Sequence, residues 1–130
     1  MRLLLDTHVF LWFVSADPSL PIAYREHIED AANEVYLSIA SVWEAVIKYA
    51  LGKLPLPGQP DVYLPAQRAL HQIESLVIDA ATFPYLANLP GLHRDPFDRI
   101  LIAQALQHDL TILTVDDAVR AYPVKLLPSP

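Results

Sequence analysis

Short apolar runs that stop abruptly at a polar residue, each followed by a helical pattern, constrain this chain more than any other feature. Residues 2–5 read Arg-Leu-Leu-Leu and break at once into Asp6-Thr7. Val35-Tyr36-Leu37-Ser38, Leu76-Val77-Ile78 before Asp79, and Thr111-Ile112-Leu113-Thr114-Val115 before Asp116 repeat the device. A strand that is apolar throughout is covered on both faces, and helical crossovers between such strands make them parallel. Val124-Lys125-Leu126-Leu127 reads as a short further strand. The chain is thus expected to be α/β, with a central parallel sheet of four or five short strands, and ligands of such sheets bind beyond the carboxyl ends of the strands.

Between the strands, a helix through 8–14 begins at Asp6-Thr7, and Asp17-Pro18 opens a helical region to about Ala32. Ser38 or Ser41 starts the next helix, where Ser41-Val42-Trp43-Glu44 has the spacing of a capping box and Gly52 marks the end. Residues 52–65 form an excursion punctuated by Pro55, Pro57 and Pro60. Further helices are expected over 62–71, from Asp79 through Ala87 and over 97–108, and the prolines at 123, 128 and 130 suggest an irregular tail.

A chain of 130 residues fits one domain, 1–130. Hydrophobic residues make up 53% of it against 18% charged, a balance that excludes disorder and leaves apolar surface for a permanent partner. No apolar run reaches the roughly 18 residues needed to span a bilayer, and the opening segment breaks too early for a secretory signal. A cytoplasmic protein with no membrane partner is expected. With no cysteine, a metal site must use oxygen or histidine ligands. A net charge of -6 weighs against a broad basic nucleic-acid face. It leaves room for catalysis on nucleic acid through a carboxylate-held cation.

Asp6, Glu44, Asp98 and Asp116 each stand at the edge of an apolar segment. Taken singly, each has an ordinary role: Asp6 and Asp116 as helix caps, Glu44 as the far end of a capping box, Asp98 as a first-turn acid beside Arg99. Taken together in a parallel sheet, with the first and fourth strands side by side, they converge on one edge. Unneutralised they would repel and raise one another's pKa, so a cation or a basic partner is expected to neutralise them. Mg2+ or Mn2+ suits four carboxylates, and the histidines lack any zinc spacing. Such an ion would activate water for phosphodiester hydrolysis. Thr7, Ser41 and Thr114 flank the acids and either hold ligand waters or cap helices. Asp95 is a helix start or a peripheral ligand, and Arg94 and Arg99 touch phosphate or balance the acids. His8, His93 and His108 form no triad, and Trp12, Trp43 and Tyr49 read as core or interface anchors.

Five segments carry a family likeness. They are Leu4-Leu5-Asp6-Thr7-His8 with Leu11-Trp12; Ser38-Ile39-Ala40-Ser41-Val42-Trp43-Glu44; Gly52-Lys53-Leu54; His93-Arg94-Asp95-Pro96-Phe97-Asp98-Arg99 with Ile102-Ala103-Gln104-Ala105; and Leu113-Thr114-Val115-Asp116. In these the chain resembles the PIN-domain ribonucleases, in particular the VapC-like toxins of toxin-antitoxin pairs. The resemblance implies a three-layer α/β/α sandwich, an acidic site of Asp6, Glu44, Asp98 and Asp116, and Thr114 as a supporting hydroxyl. It further implies RNA cleavage with Mg2+ or Mn2+, a homodimer, and inhibition by a cognate antitoxin through which promoter DNA is reached only indirectly. Val115 stands where many relatives carry a basic residue. The alternative is a non-catalytic PIN-like interaction module.

Overall fold

Leu3, Leu4 and Leu5 are all fully buried, so the strand they form has no solvent face. In the computed structural model, which describes residues 1–128, this strand is β1 (Arg2–Leu5). It is followed by α1 (Thr7–Val14), α2 (Ile22–Glu29), β2 (Glu34–Ser38), α3 (Ile39–Ala50) and α4 (Pro60–Leu70). Then come β3 (Glu74–Leu76), α5 (Thr82–Ala87), α6 (Pro96–His108), β4 (Thr111–Leu113) and α7 (Asp117–Arg120). The sheet order is β3-β2-β1-β4, and every pair is parallel. The α/β/α sandwich with a central parallel sheet is therefore borne out.

Side-chain alternation divides the core into two layers. Leu3 and Leu5, with Val35, Leu37 and Leu113, pack beneath Val9, Phe10 and Phe13 of α1, Tyr24 and Ile28 of α2, Ala45 of α3 and Leu64 of α4. Leu4 and Ile112 face the other way, onto Leu101, Ile102 and Ala105 of α6 and onto Val119 and Tyr122. A one-residue slip of β1 would exchange these layers, so its register is strongly specified. Among the described residues no helix is long and apolar enough to cross a membrane.

Several element boundaries differ from the sequence expectation. α2 starts at Ile22 after Pro21, not at Asp17-Pro18. Proline disfavours helical geometry in the residue before it, here Leu20, and Asp17 instead closes a turn through its Oδ1 to the Ser19 amide at 2.8 Å. Ser38, not Ser41, caps α3, its hydroxyl accepting from the Ala40 amide at 3.0 Å. Ser41 and Glu44 consequently lie inside the helix and form no capping box. The far end of α3 does close at Gly52, whose φ of +69° permits bonds from Gly52 N to Tyr49 O and from Lys53 N to Lys48 O.

β3 lies two residues earlier than Leu76-Val77-Ile78. Its register pairs Tyr36 with Glu74 and Ser38 with Leu76, while the carbonyl of Val77 accepts from the buried side chain of Gln104 at 3.1 Å. β4 ends at Leu113, and the expected fifth strand contracts to a single parallel bridge between Ile112 and Leu126. Of the expected irregular tail, Pro130 lies outside the described residues.

The two leucine layers and the exposed edge make opposite predictions. Leu4→Ala is expected to destabilise the fold by roughly 2–5 kcal/mol in denaturant unfolding. Val77→Ala, at a residue that a strand over 76–78 would bury but which is 59% exposed, is expected to stay within about 0.5 kcal/mol.

Candidate metal-binding active site

The site begins where β1 hands over to α1. Asp6 caps α1, Oδ1 accepting from the His8 amide at 2.9 Å, and Oδ2 accepts from the Thr114 hydroxyl at 2.7 Å. Thr114 follows β4, which pairs with β1, so the sheet itself brings these two residues together. The Thr114 hydroxyl oxygen also accepts from the Asp116 amide at 3.0 Å. Asp116 caps α7 through Oδ1, which accepts from the Ala118 amide at 2.9 Å. Asp6 and Asp116 are therefore helix caps and members of one cluster at once. The ordinary role and the shared one coincide.

Glu44 comes from α3 and is buried. The Thr7 hydroxyl lies 2.8 Å from Glu44 Oε1 and 2.8 Å from the Ser41 hydroxyl. With one proton, Thr7 donates to the carboxylate and accepts from Ser41. The other oxygen of Glu44 accepts from Lys48, one helical turn further on. Asp98 occupies the first turn of α6, which Asp95 caps by accepting from the Phe97 amide at 2.9 Å. Its Oδ2 lies 2.7 Å from Nε2 of His93, and that nitrogen is 4.0 Å from Asp116 Oδ2.

A cavity of about 310 Å³ is lined by Asp6, Glu44, Asp98 and Asp116, together with His8, Trp12, Lys48, Asp95 and Val115. All four predicted acids thus face one cavity at the carboxyl edge of the sheet. Thr7, Ser41 and Thr114 stand behind them as buried hydrogen-bond supports. A larger cleft, of about 700 Å³, runs along β2 and β3 from Asn33 to Glu74 and contains none of the four.

Burial is the main reason that the Asp98 carboxyl is pushed up to about 6; His93 opposes the shift, and Asp6, Asp95 and Glu44 add to it. Asp6 is likewise raised, first by burial, against the hydrogen bonds from Thr114 and His8. Lys48 is raised chiefly by its hydrogen bond to Glu44. The cluster fits a hard divalent cation by its donor chemistry. His93, Asp98 and Asp116 each offer a ligand atom, all within 4.8 Å of one another. Asp6 and Glu44 reach the same cavity with their oxygens already engaged.

Sequence reasoning missed Lys48 and His93. The Glu44/Lys48 spacing of four on a helix was the available signal for the first; only nearness to Asp98 pointed to the second. Arg99 does not balance the acids: its Nη1 donates to the Pro90 carbonyl at 2.9 Å and the Tyr122 hydroxyl at 3.0 Å. Trp12 lines the cavity instead of serving only as a core anchor.

The PIN domain family model matches residues 3–125. A 57-residue stretch is 39% identical to Ribonuclease VapC16 of Mycobacterium tuberculosis, covering 44% of this chain; the match spans only 40% of that curated relative's length. VapBC2 from Rickettsia felis, in a crystal structure bound to a DNA fragment from their promoter, aligns at a TM-score of 0.73 and 19% identity over 98% of both chains. FitAcB from Neisseria gonorrhoeae aligns at a TM-score of 0.65 and 24% identity, covering 97% of this chain and 96% of that one. At these identities the two structures speak for the fold alone.

The raised Asp98 carboxyl has a consequence for the metal-free protein. Its folded value of about 6 lies above the ordinary ~3.9, so the folded state holds the extra proton between the two. Stability from this group is present below about pH 4 and is lost as pH rises through about 6. Asp98→Asn is accordingly expected to raise the metal-free Tm at pH 7 and to change it little at pH 4. A lowered Tm at pH 7 would mean that the charged carboxylate is a net stabiliser.

Proposed function

The chain belongs to the PIN-domain family, and from that premise we propose that it is a Mg2+- or Mn2+-dependent endoribonuclease, the VapC-like toxin of a toxin-antitoxin pair. The observation that carries this reading is the single cavity shared by Asp6, Glu44, Asp98 and Asp116. These four are assigned as the catalytic, metal-holding set within one PIN-like domain. A divalent ion bound there supplies an acidified water and charge stabilisation at the phosphorus.

The chain's own residues supply the rest. Thr114 and the His8 amide hold Asp6 in place, Thr7 holds Glu44 and is itself held by Ser41, and so the buried carboxylates keep their orientation. Lys48 faces the cavity as a cation beside Glu44, offering a contact for phosphate. His8 and Trp12 line the same cavity with aromatic surface on which an unstacked base can rest. A net charge of -6 makes these local contacts, not a basic face, the means of holding RNA.

The partners in this reading are RNA, a cognate antitoxin and a second copy of the chain, all in the cytoplasm, with promoter DNA contacted through the antitoxin. An antitoxin segment bearing arginine would find the acids complementary. For the second copy, Ile39, Trp43, Val46 and Ile47 of α3 and its C-cap Leu51 form an exposed apolar stripe, with Trp43 56% and Leu51 62% exposed. Light scattering should then give a dimer, with Ile47→Asp shifting it to a monomer. A wild-type monomer at high concentration counts against this interface.

The decisive measurement is cleavage of total RNA by the purified chain. Cleavage should require Mg2+ or Mn2+, stop with chelator, and fall by roughly 100-fold or more in Asp6→Asn and Asp98→Asn that keep wild-type circular dichroism. Equal cleavage by all three proteins, or cleavage indifferent to chelator, would overturn the assignment. No cleavage by any would favour a non-catalytic module, a reading supported by the internal hydrogen bonds of Asp6 and Glu44.

A further inference from the structure

His93 approaches the acidic cavity from the loop before α6, and its placement does not depend on the acids alone. The His93 backbone N–H donates to the hydroxyl of Tyr122 at 2.9 Å. Tyr122 is buried, and the same hydroxyl oxygen accepts from Arg99, which also grips the Pro90 carbonyl. The loop is thus fastened at Pro90 and His93 and ends at Asp95, the cap of α6. Such fastening sets the imidazole's position in advance.

We propose that Nε2 of His93 is itself a ligand to the divalent ion, together with carboxylate oxygens of Asp98 and Asp116, so that the site favours Mn2+ over Mg2+. This rests on the reading that the acidic cavity holds such an ion. The distances suit it. An octahedral ion with ligands at ~2.1 Å sets neighbouring ligands ~3.0 Å apart and opposite ones ~4.2 Å apart. Nε2 is 2.7 Å from Asp98 Oδ2 and 4.0 Å from Asp116 Oδ2, each within a few tenths of an ångström of one of these spacings, and the three residues offer ligand atoms within 4.8 Å of one another. Ligation requires Nε2 and the Asp98 oxygen to be free of the proton in the hydrogen bond between them, which passes to solvent while the neutral imidazole keeps its proton on Nδ1.

An imidazole changes which ion the cluster prefers. Mg2+ takes oxygen ligands and sheds water reluctantly, whereas Mn2+ accepts nitrogen more readily. Asp6 and Glu44, with both oxygens engaged by Thr114, His8, Thr7 and Lys48, are the acids less ready to close around an ion. His8 lines the cavity, whereas His93 reaches its acids Asp98 and Asp116 from beside it; the Nδ1 of His8 is 4.0 Å from Asp6 and its side chain is 54% exposed.

The test is Mn2+ titrated into the metal-free full-length chain, followed by pulsed electron paramagnetic resonance and by competition with Mg2+. Nitrogen hyperfine coupling is expected in the wild type, with isotopic labelling of histidine changing the coupled nucleus, an assignment that needs no variant. The coupling should vanish in His93→Gln and persist in His8→Gln. The Mn2+ over Mg2+ preference should fall in His93→Gln by roughly 10-fold or more. Bound Mn2+ without nitrogen coupling, or coupling lost in His8→Gln instead, overturns the proposal while leaving a carboxylate-held ion and the ribonuclease reading standing. Failure to bind Mn2+ at all, with metal-independent behaviour toward RNA, overturns both.

Discussion

Everything in this molecule is hung on the pairing of β1 on both of its edges. β2 lies parallel on one side and β4 on the other, and helices cover both faces, so β1 is surrounded. Its three leucines can be buried completely only in that setting. Because the partners are parallel, all their carboxyl ends lie at one edge, and the amide of Asp6 continues the ladder to the Leu113 carbonyl at 3.0 Å. The acidic cluster is then a by-product of strand direction. An antiparallel β4 would have carried Thr114 and Asp116 to the far side of the sheet.

The electrostatics follow from that geometry. Four carboxylates near one small cavity would repel, and the fold limits the cost by giving each a local donor. Helix amides hold Asp6 and Asp116, hydroxyls hold Asp6 and Glu44, Lys48 neutralises Glu44, and His93 sits against Asp98. These donors are fixed dipoles or tethered charges, which orient a carboxylate without consuming its affinity for a cation altogether. Burial outweighs the help that Asp98 receives from His93, and its carboxyl is pushed up to about 6; Asp6 is raised for the same reason.

The parallel sheet and the gathering of the four acids at one cavity were legible in the sequence because both depend on strong local signals. Unbroken apolar runs announce two-sided burial, and an abrupt polar residue after each run, Asp6 and Asp116 among them, marks its carboxyl end. What was not legible depends on competition between neighbours. Whether Ser38 or Ser41 caps α3 is decided by Thr7, far away in sequence, which claims Ser41. Whether Val77 belongs to β3 is decided by Gln104, which takes its carbonyl. No local signal marks Lys48 as a cavity residue or His93 as the neighbour of Asp98, and only the folded chain places them. Arg99 looked like a counter-charge because it adjoins Asp98, yet helical geometry sends adjacent side chains in different directions.

The hydrogen bond from Thr114 to Asp6 spans 108 residues of chain. During synthesis Asp6 leaves the ribosome long before its partner, at ordinary elongation rates by roughly 5–20 seconds. Until β4 emerges and slides into place beside β1, the half-sheet holds an unpaired edge, and Asp6 lacks both the Thr114 hydroxyl and the neighbouring Asp116. Every nascent chain that stops short of these residues lacks Val115 and Asp116 from the lining of the cavity. Topology thus withholds the last wall of the site, Thr114 and Asp116, until β4 has paired with β1.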